Sequence, residues 1–166
     1  YLHRRQRQMC IRDRSNAVKI TGTQSAVTAA LVTEASKVSA GSALVTISDA
    51  AYDATNRDVS MNASDLKNIG NATTGTVTLT SLQRITGTQA DVTAALVTEG
   101  SKVVAGTNNT IANVTNAVTA AQGQAIAAAS NIAAAFAGGV EDSISNLYSA
   151  NNNACLLYTS DAADDA

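Results

Sequence analysis

The chain of 166 residues has no proline, no tryptophan, one phenylalanine, one histidine and two cysteines. Charged residues are 14% and aromatics 3%, with a formal net charge of −2. Each scarcity excludes something. The near-neutral balance lacks the basic footprint of a nucleic-acid binder. It also lacks the charge excess of an acidic disordered tail. No stretch approaches the run of about 18 apolar residues that a membrane-spanning helix needs. The length allows one ordinary domain or a few small repeats.

The two ends differ from the rest. Residues 1–14 read YLHRRQRQMCIRDR, and residues 155–166 read CLLYTSDAADDA. Both resemble the translation of a transposase-type sequencing-library adapter. Its forward strand accounts for Arg4 to Arg14, and its reverse complement, read one base in, for Cys155 to Asp164. Both ends are therefore expected to be adapter-derived artefacts, and such segments are set aside before fold reasoning. The five arginines among the first 14 residues are otherwise a candidate nucleic-acid arm or targeting segment. No apolar core follows them, as a targeting segment would require.

Setting the ends aside empties the chemical toolbox. Cys10, Cys155 and His3 all lie within them. Residues 15–154 then hold no thiolate nucleophile, no imidazole base and no usual zinc ligand set. Their basic residues are Lys19, Lys37, Arg57, Lys67, Arg84 and Lys102.

An internal repeat organises what remains. Residues 20–41 read ITGTQSAVTAALVTEASKVSAG, and residues 85–106 read ITGTQADVTAALVTEGSKVVAG. Only four positions of 22 differ, at an offset of 65. A degenerate third copy starts at Phe136, where FAGGVEDSISNLY aligns with ITGTQADVTAALV. That alignment sets Gly138 on Gly87, Asp142 on Asp91 and Leu147 on Leu96.

Each copy reads as strand, turn and capped helix. TVTLTSLQRI is expected to form one apolar strand ending at Ile85. Thr86 and Gly87 are expected to turn, because glycine tolerates the angles of a tight reversal. Thr88 is placed to cap a helix, with Asp91 three residues on as a capping-box-like partner. Val92, Ala95 and Leu96 then supply an apolar stripe at helical spacing. The first copy has Ala26 in place of Asp91, which predicts a weaker cap. Between the copies, Leu44, Val45 and Ile47 suggest a short strand, and residues 50–58 a loop. Asn62 is a plausible N-cap with Asp65 at N3, and Leu66 and Ile69 form the edge of the next helix. Thr73, Thr74 and Gly75 end that helix.

Short strands alternating with short helices favour parallel pairing through right-handed crossovers. At a fixed period they predict an α/β solenoid of stacked strand–helix units over residues 15–106. Residues 107–154 are Ala-rich, with apolar residues at helical spacing from Ile111 to Phe136. They predict one long helix or two consecutive helices, with a degenerate third repeat as the alternative.

The phrases ITGTQADVTAALVTE and VTISD…ASDLKNIGNATTGTVTLTSL resemble repeats of giant secreted surface proteins of marine and other bacteria, including cyanobacterial-type ones. Thr73, Thr74, Gly75, Ile85, Gly87, Thr88, Ala90, Asp91, Val92, Ala95 and Leu96 carry the resemblance, together with Ile20, Gly22, Thr23 and Leu31 of the first copy. The first copy departs from the pattern at Ser25 and Ala26. The resemblance implies a non-enzymatic structural or adhesive role, an extracellular or cell-surface location, and neighbouring repeats as partners. Surface glycans or other cells would be further partners. It implies no catalytic residues and no cofactor. A carbohydrate- or calcium-binding module of such a protein is the alternative.

Other candidates have plainer readings. Asp49, Asp53 and Asp58 lie close together in the loop and are calcium candidates through oxygen ligation. Their spacing matches no EF-hand, and solvated loop carboxylates are the default. Asp91 and Glu99 form a possible acid/base pair, but capping accounts for Asp91. Thr76, Thr78 and Thr80 line one strand face, where regular threonine arrays bind ice or sugar. An exposed Thr-rich β-face is the ordinary expectation. Gly138 and Gly139 read as a turn.

Overall fold

A computed structural model describes residues 19–33, 38–53, 55, 60–98, 103–104, 110–130 and 133–147. The architecture is α/β, with two four-stranded parallel sheets and several helices. In chain order the elements are β1 (Lys19–Gly22), α1 (Gln24–Leu31), β2 (Leu44–Ile47), β3 (Met61–Asn62) and α2 (Ala63–Ala72). Then follow β4 (Val77–Leu79), β5 (Gln83–Gly87), α3 (Gln89–Val92) and a π-helical turn at Thr93–Val97. The rest are β6 (Val103–Val104), β7 (Thr110–Val114), α4 (Ala120–Ala129), β8 (Ala133–Phe136) and α5 (Ile144–Leu147).

Among the described residues every strand pairing is parallel. The first sheet runs β1-β2-β4-β6 and the second β3-β5-β7-β8. Strand order in each sheet follows chain order, so among the described residues each strand but the last of its sheet is covered by one that comes later. Parallel neighbours need a crossover between them, and most of the helices serve as those crossovers. The helices pack in sequence, α1 on α2, α2 on α3, and α4 on the π turn. The core lies between sheets and helices. Val45, Ile47, Val77 and Leu79 fill it from the first sheet, Ile85, Ala112 and Val114 from the second. Leu66, Ile69, Val92 and Ile126 fill it from the helices. Fully burying such a side chain contributes about 1.5–3 kcal/mol.

Helix α2 shows how local sequence makes an element. Asn62 takes an extended conformation and its side chain accepts from the Ser64 N–H at 2.9 Å, satisfying one orphan donor of the first turn. Ala63, Leu66, Ile69 and Gly70 are its buried face. Thr73 leaves the helix in extended conformation. Its hydroxyl donates to the Ala43 carbonyl at 2.7 Å and accepts from Gly75 N–H at 2.9 Å. The Thr-Thr-Gly corner thus rests on the preceding loop. A Cβ on Gly75 would lie 2.1 Å from the Ala43 carbonyl oxygen, so only glycine fits there.

Four expectations about the elements themselves need correction. The segment 76–85 is not one strand. It breaks at residues 80–82, sending β4 to one sheet and β5 to the other. Thr80 is exposed there, and its hydroxyl donates to the Ile47 carbonyl at 3.1 Å. Thr86 and Gly87 do not turn but end β5, and Gly87 has no positive φ. Space, rather than backbone freedom, requires the glycine. A Cβ there would approach the Ala63 Cβ to 2.7 Å.

The Ala-rich segment is not helical throughout. Thr110–Val114 and Ala133–Phe136 are strands, and only Ala120–Ala129 between them forms a long helix. Thr110, Ala112 and Val114 alternate inward, and ladder bonds from β5 and β8 outweigh alanine's helix propensity. Finally, the second copy's helix does not match the first in its last turns. Gln24–Leu31 is α-helical, whereas Thr93–Val97 widens to a π turn in which Thr98 N–H reaches the Thr93 carbonyl at 2.9 Å.

Candidate functional site: the caps between units

The two near-identical copies share one local geometry where strand passes into helix. Thr23 and Thr88 have the same backbone angles, φ −67° and ψ 159° against φ −68° and ψ 159°. The Thr23 hydroxyl accepts from the Ala26 N–H at 3.2 Å, and Thr88 from the Asp91 N–H at 3.3 Å. The first cap is therefore formed despite Ala26. Asp91 does not complete a capping box. Its carboxylate accepts from the Thr88 hydroxyl at 3.0 Å and from the Lys67 ammonium. The full box occurs at Thr119, where Gln122 N–H donates to the hydroxyl and Thr119 N–H donates back to Gln122 Oε1 at 2.9 Å.

A second cap comes from the next strand. Gln24 N–H donates to Asp49 Oδ2 at 2.6 Å. Gln89 N–H donates to Asn116 Oδ1 at 2.6 Å, and Ala120 N–H to Asp142 Oδ2 at 3.1 Å. The geometry has one cause. Gly22 pairs with Ile47, Gly87 with Val114 and Val118 with Val140, all in parallel register. Two residues onward, the first residue of each helix faces an acidic or amide side chain of the following strand. Helix N-termini carry unsatisfied N–H groups and partial positive charge, which such oxygens satisfy. Asp142 therefore corresponds to Asp49 and Asn116, not to Asp91.

Further contacts tie neighbours together. Lys67 of α2 pairs with Asp91 of α3, both side chains partly exposed. The Lys67 ammonium first, and the Thr88 hydroxyl second, hold the Asp91 carboxyl below the ordinary carboxylate range. Hydrogen bonds from the Asn146 amide and the Ser143 N–H lower Asp142 in the same direction. The Gln24 side chain clamps Asn62, donating to its carbonyl at 2.8 Å and accepting from its N–H at 3.1 Å. β3 ends its sheet, and this amide covers backbone groups that would otherwise be an open edge. Gln83, buried at 1%, donates to the carbonyls of Asp49 and Ala50 at 3.3 and 3.0 Å. The Arg84 guanidinium lies 5.9 Å from the Tyr52 ring centre.

The remaining motif residues fall into place around these contacts. Ile85 and Val92 are buried, while Ile20, Leu31 and Leu96 are half-buried against the core. Thr74 N–H donates to the Gly41 carbonyl at 2.8 Å, and its hydroxyl to the same atom at 3.2 Å. The three calcium candidates are placed only in part. Asp49 caps α1, Asp53 accepts from Thr55 N–H at 2.7 Å, and Asp58 lies outside the described residues. Glu99, proposed partner of Asp91, also lies outside them. Among the described residues no group of three or more His, Cys, Asp or Glu could hold a metal ion.

Sequence reasoning missed Gln24, Asn116, Lys67 and Gln83. Asn116 lies 67 residues after Asp49, off the repeat offset of 65, and only a likeness of local phrases hinted at it. Residues 44–50 (LVTISDA) and 111–117 (IANVTNA) carry Asp49 and Asn116 in the same place of a similar phrase.

No family, no curated protein and no solved structure matches the chain. Among the described residues no helix is long and apolar enough to cross a membrane.

Proposed function

We propose that this chain is a non-enzymatic structural or adhesive repeat segment of a large extracellular or cell-surface bacterial protein. In this reading its strand–helix units stack as an α/β solenoid. One observation supports it above the rest. Three helices begin on a threonine cap of their own and on an oxygen supplied by the following unit. A cap that is completed only by the next unit suits an array built by repetition. The polar groups so described are spent on joining units. Asp49, Asp91, Asn116 and Asp142 each hold a structural partner.

The location rests on the resemblance of the repeat phrases to secreted surface proteins. The role follows from stacking, since a repeat array spaces or displays rather than encloses.

The deciding experiment is recovery of the contiguous coding DNA. The reading expects further I-x-G-T-x-A-D-V units in frame, beside a secretion signal or secretion domain. A single-copy gene whose remaining sequence clusters His, Glu or Ser in a separate compact domain would overturn it.

A further inference from the structure

The two copies have nearly the same sequence but unequal surroundings. In the second copy Ile85 and Ala95 are fully buried. Their counterparts Ile20 and Ala30 are half-buried. The downstream sides match, because Ser48 N–H bonds to the Gly22 carbonyl at 2.9 Å and Thr115 N–H to the Gly87 carbonyl at 3.0 Å. The upstream sides do not. β5 is covered by β3, and Ala63 seats on Gly87. Among the described residues β1 ends its sheet, and a Cβ on Gly22 would meet only its own helix, at 3.6 Å. Glycine is thus present in the first copy at a place where nothing described requires it.

A second position shows the same gap independently. Val103 pairs with Val77 of β4 and is 8% exposed. Val38 occupies the same place in the first copy, 65 residues earlier, and is 42% exposed. In the second copy, Ala63 and Val77 both belong to one stretch of chain, Met61–Leu82, that precedes it.

We infer that the free edge of β1, Gly22 and Val38 together form a docking site for an upstream strand–helix–strand module of the Met61–Leu82 kind. The inference rests on the repeat-segment reading and names the partner of this end. The module opens its helix with a residue no larger than alanine, which sits on Gly22. Its second strand carries a β-branched residue that covers Val38. Its helix needs no cation where α2 has Lys67, because Ala26 replaces Asp91.

The test is a full-length chain with a duplicate of residues 61–82 inserted between Ala17 and Val18. This reproduces the spacing by which Leu82 leads into β5. Docking predicts a melting temperature higher by about 5 °C or more. It also predicts slower amide exchange in residues 19–22 and 38–40. Gly22→Val in the extended chain should abolish that protection and leave residues 61–98 protected as before. In the parent chain the same substitution should change melting little. Should Gly22→Val prevent folding, Ala63→Leu in the duplicated copy serves instead and should remove the added protection. No gain in protection on extension, or a gain that survives both substitutions, would overturn the inference. A gene without further repeats would overturn the repeat-segment reading while leaving this docking geometry measurable.

Discussion

Asp49 Oδ2 lies 2.6 Å from the backbone nitrogen of Gln24, across the boundary between two consecutive parallel strands. The carboxylate belongs to the later unit and the helix to the earlier one. Asn116 makes the same bond to Gln89 at the same distance. The bond therefore needs an oxygen acceptor at this place, and a charge is not required.

Asp49→Ala should destabilise the chain by about 1 kcal/mol, the usual cost of losing an N-cap acceptor. Asp49→Asn should keep most of that stability. Urea midpoints of the three proteins decide it. If the asparagine variant melts as early as the alanine one, charge and not hydrogen bonding makes the contact.

Three glycines of the repeat phrases should respond in a set order. Gly75→Ala should be worst, because the new Cβ meets the Ala43 backbone at 2.1 Å. Gly87→Ala should follow, at about 1–3 kcal/mol, since it meets the Ala63 Cβ at 2.7 Å. Gly22→Ala should be close to neutral, with ordinary contacts at 3.6 Å. Denaturant midpoints that rank Gly22→Ala with the other two would contradict the spatial reading of these glycines.

Burial predicts a similar asymmetry for the isoleucines. Ile85→Ala removes a fully buried side chain and should cost about 2–5 kcal/mol. Ile20→Ala, in the same sequence context but half-buried, should cost clearly less. Equal losses in chemical denaturation would show that the first copy is as well covered as the second.

The Lys67–Asp91 pair gives a pH dependence with a definite sign. The Asp91 carboxyl is depressed in the folded chain, first by Lys67 and then by Thr88. The unfolded chain therefore takes up the proton more readily as pH falls. The stabilisation is fully present above the ordinary carboxylate range and is lost as pH drops through the depressed folded value. Lys67→Met should raise the Asp91 pKa and flatten this part of the profile. Asp142, depressed by Asn146 and Ser143, should remain unaffected. Melting temperatures of both proteins across acidic pH, with carboxyl titrations by NMR, check the prediction. Parallel profiles would sink it. The pair is partly exposed, so the effect should be small.

Local chemistry was legible in the sequence because it acts within a few residues. Thr88 and Asn62 cap N–H groups just ahead of them, and the Thr73 hydroxyl takes up the Gly75 N–H where the chain leaves α2, as expected of each. The β2 strand at Leu44–Ile47 and parallel pairing also emerged from pattern alone. The Ala-rich stretch misled because propensity is a weak prior. Ala112 pairs with Ile85 of β5 on one side and with Ala134 of β8 on the other, where neighbouring backbones supply the hydrogen bonds.

By itself the sequence determined the repeat, its threonine caps, its alternation of strand and helix, and the scarcity of reactive side chains in its middle. Tertiary structure alone decided which sheet each copy joins. The strand of one ITGT phrase pairs in the first sheet and the other in the second. It also decided that Gly87 answers to Ala63, and that Asp49 completes a helix of the preceding unit. The reason is physical. A threonine cap is satisfied by a group a few bonds away, whereas the second cap and the coverage of an edge depend on what another part of the chain brings beside them.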